Sequence, residues 1–186
     1  MLELQDMFTN RTKIDENILV EVSDQLWQLG RLQEIKEKVS KDLFDVHIGI
    51  NMIGNWKSEG WWCLISEQAH LVPYISQTLK ALELKETQQA FDDVLAVFPD
   101  FTIFSNEEKS YYDIIHFLQN THCQVTDERL NQITIEERKT MVKLIHQRLD
   151  RLEDITDPLW GYGSQNDGWK SVLDFIALKI EKKVRY

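Results

Sequence analysis

Phe44-Asp-Val-His-Ile-Gly-Ile50 is the stretch on which the fold class turns. Phe44, Val46, Ile48 and Ile50 alternate with Asp45, His47 and Gly49, the period of a half-buried β-strand. A strand needs an edge to pair with, and no second run of this kind follows in the 186 residues. The segment is therefore expected to be helical or irregular, with a short strand-like piece near residues 44–50 as the open alternative.

The surrounding sequence reads as helix. Before it, Ile14, Ile18, Val22, Leu26 and Leu29 recur at three- and four-residue steps, which predicts a helix over Asp15 to Leu29. Gly30 marks a stop or a kink, and Leu32, Ile35 and Val39 resume the pattern. After it, Asn55 to Gly60 is polar and turn-like, and the dense apolar run Trp61-Trp62-Cys63-Leu64-Ile65 follows.

Pro73 fits the first turn of a helix over Leu71 to Leu84, where its missing N–H costs nothing. A helix over Thr87 to Phe98 is ended by Pro99. Ser105-Asn-Glu-Glu108 and Thr134-Ile-Glu-Glu137 have the spacing of capping boxes and predict two further helix starts. Asp157-Pro158 and Gly161-Tyr-Gly163 read as a loop. Asp167 is placed to cap a last helix, with Lys179, Lys182, Lys183 and Arg185 at the end where cations favour the helix dipole.

The sum is an all-α, single-domain bundle of roughly seven to nine helices. Residues 1–43 form its N-terminal helices. Only 3 Pro and 7 Gly are present, which suits long regular helices, and 6 Trp with 8 Phe supply a large core.

No apolar run reaches the roughly 18 residues that span a bilayer. The first ten residues include Glu3 and Asp6 and lack a basic-then-apolar leader. Cys63 and Cys123 fit free thiols in a reducing compartment. The expectation is a cytoplasmic protein with no membrane partner.

Net charge is −10, unevenly spread. Residues 61–135 carry 11 acids and 4 bases, whereas residues 136–186 carry 9 acids and 10 bases. An excess of this sign disfavours direct nucleic-acid binding and favours a basic protein partner. Glu83, Glu86, Asp92, Asp93, Asp100, Glu107, Glu108 and Asp113 fall on or beside three successive predicted helices. If their faces align, they display carboxylates in a line as a nucleic acid displays phosphates. The plain alternative is a solvated helix surface.

Chemical motifs are sparse. No Gly-rich phosphate cradle and no zinc spacing occurs, and no cofactor is expected. Glu67-Gln-Ala-His70 and Asp113-Ile-Ile-His116 have the acid-x-x-His spacing of carboxylate-bridged metal sites in helical bundles. Such a site requires two further inward acids, for which Glu16, Glu21 and Glu137 are candidates. Cys63 with His116 or His122 offers a nucleophile and base, against the commoner reading of a packed thiol. Trp56, Trp61 and Trp62 offer base-stacking surfaces, but with only Lys57 beside them they read as core.

The order of pieces along residues 45–183 resembles a known family. Glu59-Gly-Trp-Trp62 is followed by Val72-Pro-Tyr-Ile-Ser-Gln-Thr-Leu-Lys-Ala-Leu82. Then come Thr87-Gln-Gln-Ala-Phe-Asp-Asp-Val-Leu-Ala-Val-Phe-Pro99 and Leu149-Asp-Arg-Leu-Glu-Asp154. This succession resembles the bacterial DNA-mimic domain family, much of which carries no assigned function. The chain departs from the pattern where Ser58-Glu-Gly60 replaces an Asn-Gly-Gly turn and Trp61 replaces Phe. The resemblance implies an all-helical fold and, for at least one member, sequestering of a DNA-binding protein by an acidic surface. The leading expectation is a non-enzymatic binding protein of this kind. The alternatives are an immunity protein against a co-encoded toxin and, more remotely, a helical metalloenzyme built on Glu67, His70, Asp113 and His116.

Overall fold

In the computed structural model every residue is described except Asn10, Thr12, Arg185 and Tyr186, together with the side chains of Lys182, Lys183 and Val184. The expected dipole contribution of Lys182, Lys183 and Arg185 lies outside the described residues.

Nine α-helices form among the described residues: α1 (Leu4–Phe8), α2 (Glu16–Trp27), α3 (Leu32–Lys38), α4 (Lys41–Glu67), α5 (Val72–Ala81), α6 (Lys85–Leu95), α7 (Lys109–Gln119), α8 (Ile135–Trp160) and α9 (Lys170–Val184). The extended contact among them is one parallel bridge between Leu2 and Val39, which ties the N-terminus to the α3–α4 junction. The fold is an all-α bundle, as expected.

Phe44 to Ile50 is helix, buried at every position from Leu43 to Ile50. The alternation misleads because α4 is the central helix, in contact with α2, α3, α5, α8 and α9. A helix enclosed all round has no solvent stripe to advertise its period. The polar residues of this buried stretch face partners instead of water. Asp45 pairs with Lys41 at 2.6 Å, and His47 Nδ1 lies 3.2 Å from Ser23 Oγ.

Four expectations are corrected. The polar run Asn55 to Gly60 is not a turn. It continues α4 up to a kink at Gly60, whose φ of 77° and ψ of −179° are open only to glycine. Glu153 of α8 makes the kink tolerable. Its carboxylate accepts the Trp61 backbone N–H at 2.8 Å and Trp56 Nε1 at 2.6 Å, so a distant side chain caps the restarted helix.

Pro158 lies inside α8, two residues from its end, where only the last turn forgoes a hydrogen bond. The Ser105 box does not start α7, which begins at Lys109 with Glu108 as its cap. Asn106 is drawn away to the end of α4, donating to the Glu67 carbonyl at 2.7 Å. The last helix begins at Lys170. Asp167 sits ahead of it in a left-handed turn, φ 52°, instead of capping it. By contrast Thr134 and Glu137 form the reciprocal cap their spacing predicts.

One continuous apolar cluster runs from Leu4 to Ile176 and draws on every helix. Trp56 and Trp61 pack against Trp160 in its middle, edge-on and tilted, with ring centroids 5.5 and 5.7 Å away. Arg138 is buried and donates to the carbonyls of Phe117, Asn120 and Cys123, at 3.1, 2.7 and 2.9 Å. A cation there satisfies the open carbonyls and negative dipole end of α7.

Candidate functional site

The eight candidate carboxylates divide by what they already touch. Four are committed within the chain. Asp93 accepts from Gln89 at 3.0 Å and faces Arg151 of α8 at 3.7 Å, while its backbone carbonyl accepts from Arg148. Glu107 pairs with Arg31 at 2.7 Å. Glu108 caps α7 through the N–H and hydroxyl of Ser110.

Asp113 takes three hydrogen bonds, from the backbone N–H groups of Thr126 and Asp127 and from the Thr126 hydroxyl, at 2.6 to 2.9 Å. Burial works to raise its pKa. The bonds from Thr126 and Asp127 outweigh that and hold the carboxyl below the ordinary value. Its work is to pin the loop after α7.

The other four, Glu83, Glu86, Asp92 and Asp100, accept no side-chain hydrogen bond and join no ion pair among the described residues. They flank or ride on α6, whose opposite side buries Thr87, Ala90, Phe91 and Val94. They do not form one ladder. A separation of seven puts Glu86 in line with Asp93, and Asp92 in line with Lys85. The single file of carboxylates considered from sequence is therefore broken, by Arg151 over Asp93 and by Lys85 two turns before Asp92 on the same line.

Glu83 holds a left-handed backbone, φ 61°, in the turn between α5 and α6. This conformation is uncommon for a residue with a side chain. It stands at the lip of a cleft of about 430 Å³ between that turn, the end of α8 and α9. Leu82, Trp160 and Phe175 are buried in its lining, and Leu159 and Leu178 reach solvent at its edge. Lys170 and Asp174 on the same edge pair with each other. The sequence does not reveal this cleft, because Asp157-Pro158 reads as a loop and no periodicity connects it with α9.

The metal candidates are not assembled. Asp113 is held by Thr126, and His116 is exposed elsewhere along α7. Glu67 is exposed, while His70 is bonded to Asn106. Glu21 pairs with Arg11, Glu16 lies 3.5 Å from Lys57, and Glu137 is used in the α8 cap. Among the described residues no three His, Cys, Asp or Glu gather as metal ligands would.

Cys63 is not activated. Its thiol donates to Glu59, and that hydrogen bond, with burial and the charges of Glu59 and Glu67, pushes its pKa up to about 11. Trp56 and Trp61 are buried, so their rings are not offered to bases. No described helix is long and apolar enough to cross a membrane.

Fold and surface together define an all-α bundle in which carboxylates unpaired among the described residues lie on and beside α6, next to an apolar cleft. No family model, no curated protein and no solved structure matches the chain.

Proposed function

We propose that this is a non-enzymatic binding protein that engages a basic protein through Glu83, Glu86, Asp92 and Asp100. The observation that carries the reading is that these four carboxylates have no partner among the described residues while their four neighbours do. An exposed carboxylate already paired with arginine has little left to offer a second cation, whereas a free one retains its full field.

Glu86 and Asp92 lie six residues apart on α6, a rise of about 9 Å, or roughly two to three base-pair steps. That dimension suits a DNA-mimic-like inhibitor of a DNA-binding protein. The broken ladder departs from strict mimicry, so the reading rests on charge complementarity and not on a copied phosphate spacing. A basic toxin would be neutralised through the same surface, and the identity of the retained protein separates the two.

The test is affinity capture of the tagged protein from its native lysate at low salt and at about 0.5 M salt, where exposed charges are screened. A basic protein held at low salt and released at high salt is the expected result. Retention of no specific protein at either salt overturns the proposal.

A further inference from the structure

His70 has its proton position fixed by a neighbour, in a groove that the carboxylate surface does not use. Asn106 Nδ2 can only donate, and it meets the Glu67 carbonyl oxygen at 2.7 Å. That orients the amide and turns Oδ1 toward His70. Oδ1 accepts the His70 backbone N–H at 3.1 Å and lies 2.8 Å from Nδ1. An amide oxygen carries no hydrogen, so Nδ1 supplies it. The neutral ring then bears its lone pair on Nε2.

His70 Nε2 has no hydrogen-bond partner among the described residues. It is also not sealed in, unlike the unpartnered nitrogens of His47, Trp160 and Trp169. The half-buried ring lines a groove of about 550 Å³ between the α2–α3 junction, the start of α5 and the turn ahead of α7. Trp27, Tyr74 and Phe104 are aromatic walls of that groove, and Trp27 stands edge-on to the imidazole with centroids 6.1 Å apart. The ion pair of Arg31 and Glu107 on the groove lining is self-compensating, so the groove selects for no net charge.

The geometry points to a binding site for a small neutral aromatic molecule that carries one hydroxyl or ring N–H donor, of the phenol or indole class. Flat apolar walls take the ring, the groove is more than wide enough to admit it, and His70 Nε2 accepts the donor. A bound ring that covers Nε2 without offering a donor displaces water from that nitrogen and leaves it unpaired, so the analogue that lacks the donor binds more weakly. Asn106 is the positioning residue, because it holds the lone pair on the outward nitrogen. This inference stands apart from the carboxylate surface and survives its failure.

The experiment uses the full chain labelled with nitrogen-15 at histidine, titrated with p-cresol and with toluene, two molecules of one shape that differ by the hydroxyl. The free protein is expected to show His70 protonated on Nδ1. p-Cresol is expected to saturate a site at millimolar concentration and to shift the Nε2 resonance, with toluene at least about tenfold weaker. His70→Phe should erase that preference, and Asn106→Leu should reduce it by releasing the tautomer. A proton on Nε2 in the free protein, equal affinity for the two probes, or no saturation by p-cresol up to its solubility would each overturn the inference. The comparison of probes on the unaltered chain needs no variant to fold.

Discussion

Gly54 and Gly60 stand six residues apart on α4 and answer differently to one methyl group. A Cβ at Gly54 meets only the Trp169 ring, at 4.0 Å, in ordinary contact. Gly54→Ala is expected to stabilise the protein by about 0.5–1 kcal/mol through helix propensity alone. A Cβ at Gly60 would lie 2.9 Å from Glu153 Oε1 on a backbone that disfavours any side chain. Gly60→Ala should destabilise by about 1–3 kcal/mol. Urea unfolding of the two variants checks both signs, and two shifts of the same sign would contradict the kink.

His47 is a residue-scale prediction of another kind. Burial lowers its pKa from 6.5 to about 4. Above pH 6.5 the ring is neutral both folded and unfolded, and contributes nothing to the pH dependence. Between about 6.5 and about 4 the unfolded chain takes a proton that the folded one refuses. Stability therefore falls across that window, by at most about 3 kcal/mol.

Asp45 acts with the opposite sign. Burial raises its pKa despite the hydrogen bond and charge of Lys41, so stability is gained as pH falls through its folded value toward 3.8. Replacing His47 with Gln should flatten the acid slope of stability measured by denaturant unfolding between pH 6.5 and 4. An unchanged slope would show that His47 does not produce it.

At the scale of elements, two side chains from α8 do what helix ends cannot do for themselves. Glu153 caps the restarted half of α4, and Arg138 closes α7. Removing Glu153 as Ala leaves the Trp61 N–H and the Trp56 indole unpaired inside the bundle, and is expected to cost about 2–3 kcal/mol. The measurement is the urea midpoint, and a loss below about 0.5 kcal/mol would mean that water replaces the carboxylate without penalty.

These contacts also explain what could be read in advance. The Thr134 box was legible because both partners lie within four residues. The α4 kink was not, because its cap comes from 92 positions away. Ser105 offered a local box that lost to the pull of Asn106 on Glu67 and His70. Of the surface, the sign and location of the charge were visible in the sequence. Which acids are free was not, since the bases that occupy Asp93 and Glu107 come from α8 and from the α2–α3 junction.

For the whole molecule, the uneven charge along the chain is partly undone by folding. The basic C-terminal portion brings Arg148 and Arg151 of α8 onto Asp93. What remains exposed is a smaller acidic surface around α6, next to the cleft edged by Leu159 and Leu178. Binding through that surface should weaken steeply with ionic strength, because its charges are exposed or half-buried and unpaired among the described residues.

The most direct test neutralises the four free carboxylates and three of the committed ones in separate variants and measures affinity for the captured basic partner. One variant carries Glu83→Gln, Glu86→Gln, Asp92→Asn and Asp100→Asn. The other carries Asp93→Asn, Glu107→Gln and Glu108→Gln. Affinity should fall at least about a hundredfold in the first and less than about fivefold in the second. Equal losses in both, or a larger loss in the second, would contradict the claim that the free carboxylates around α6 form the binding surface.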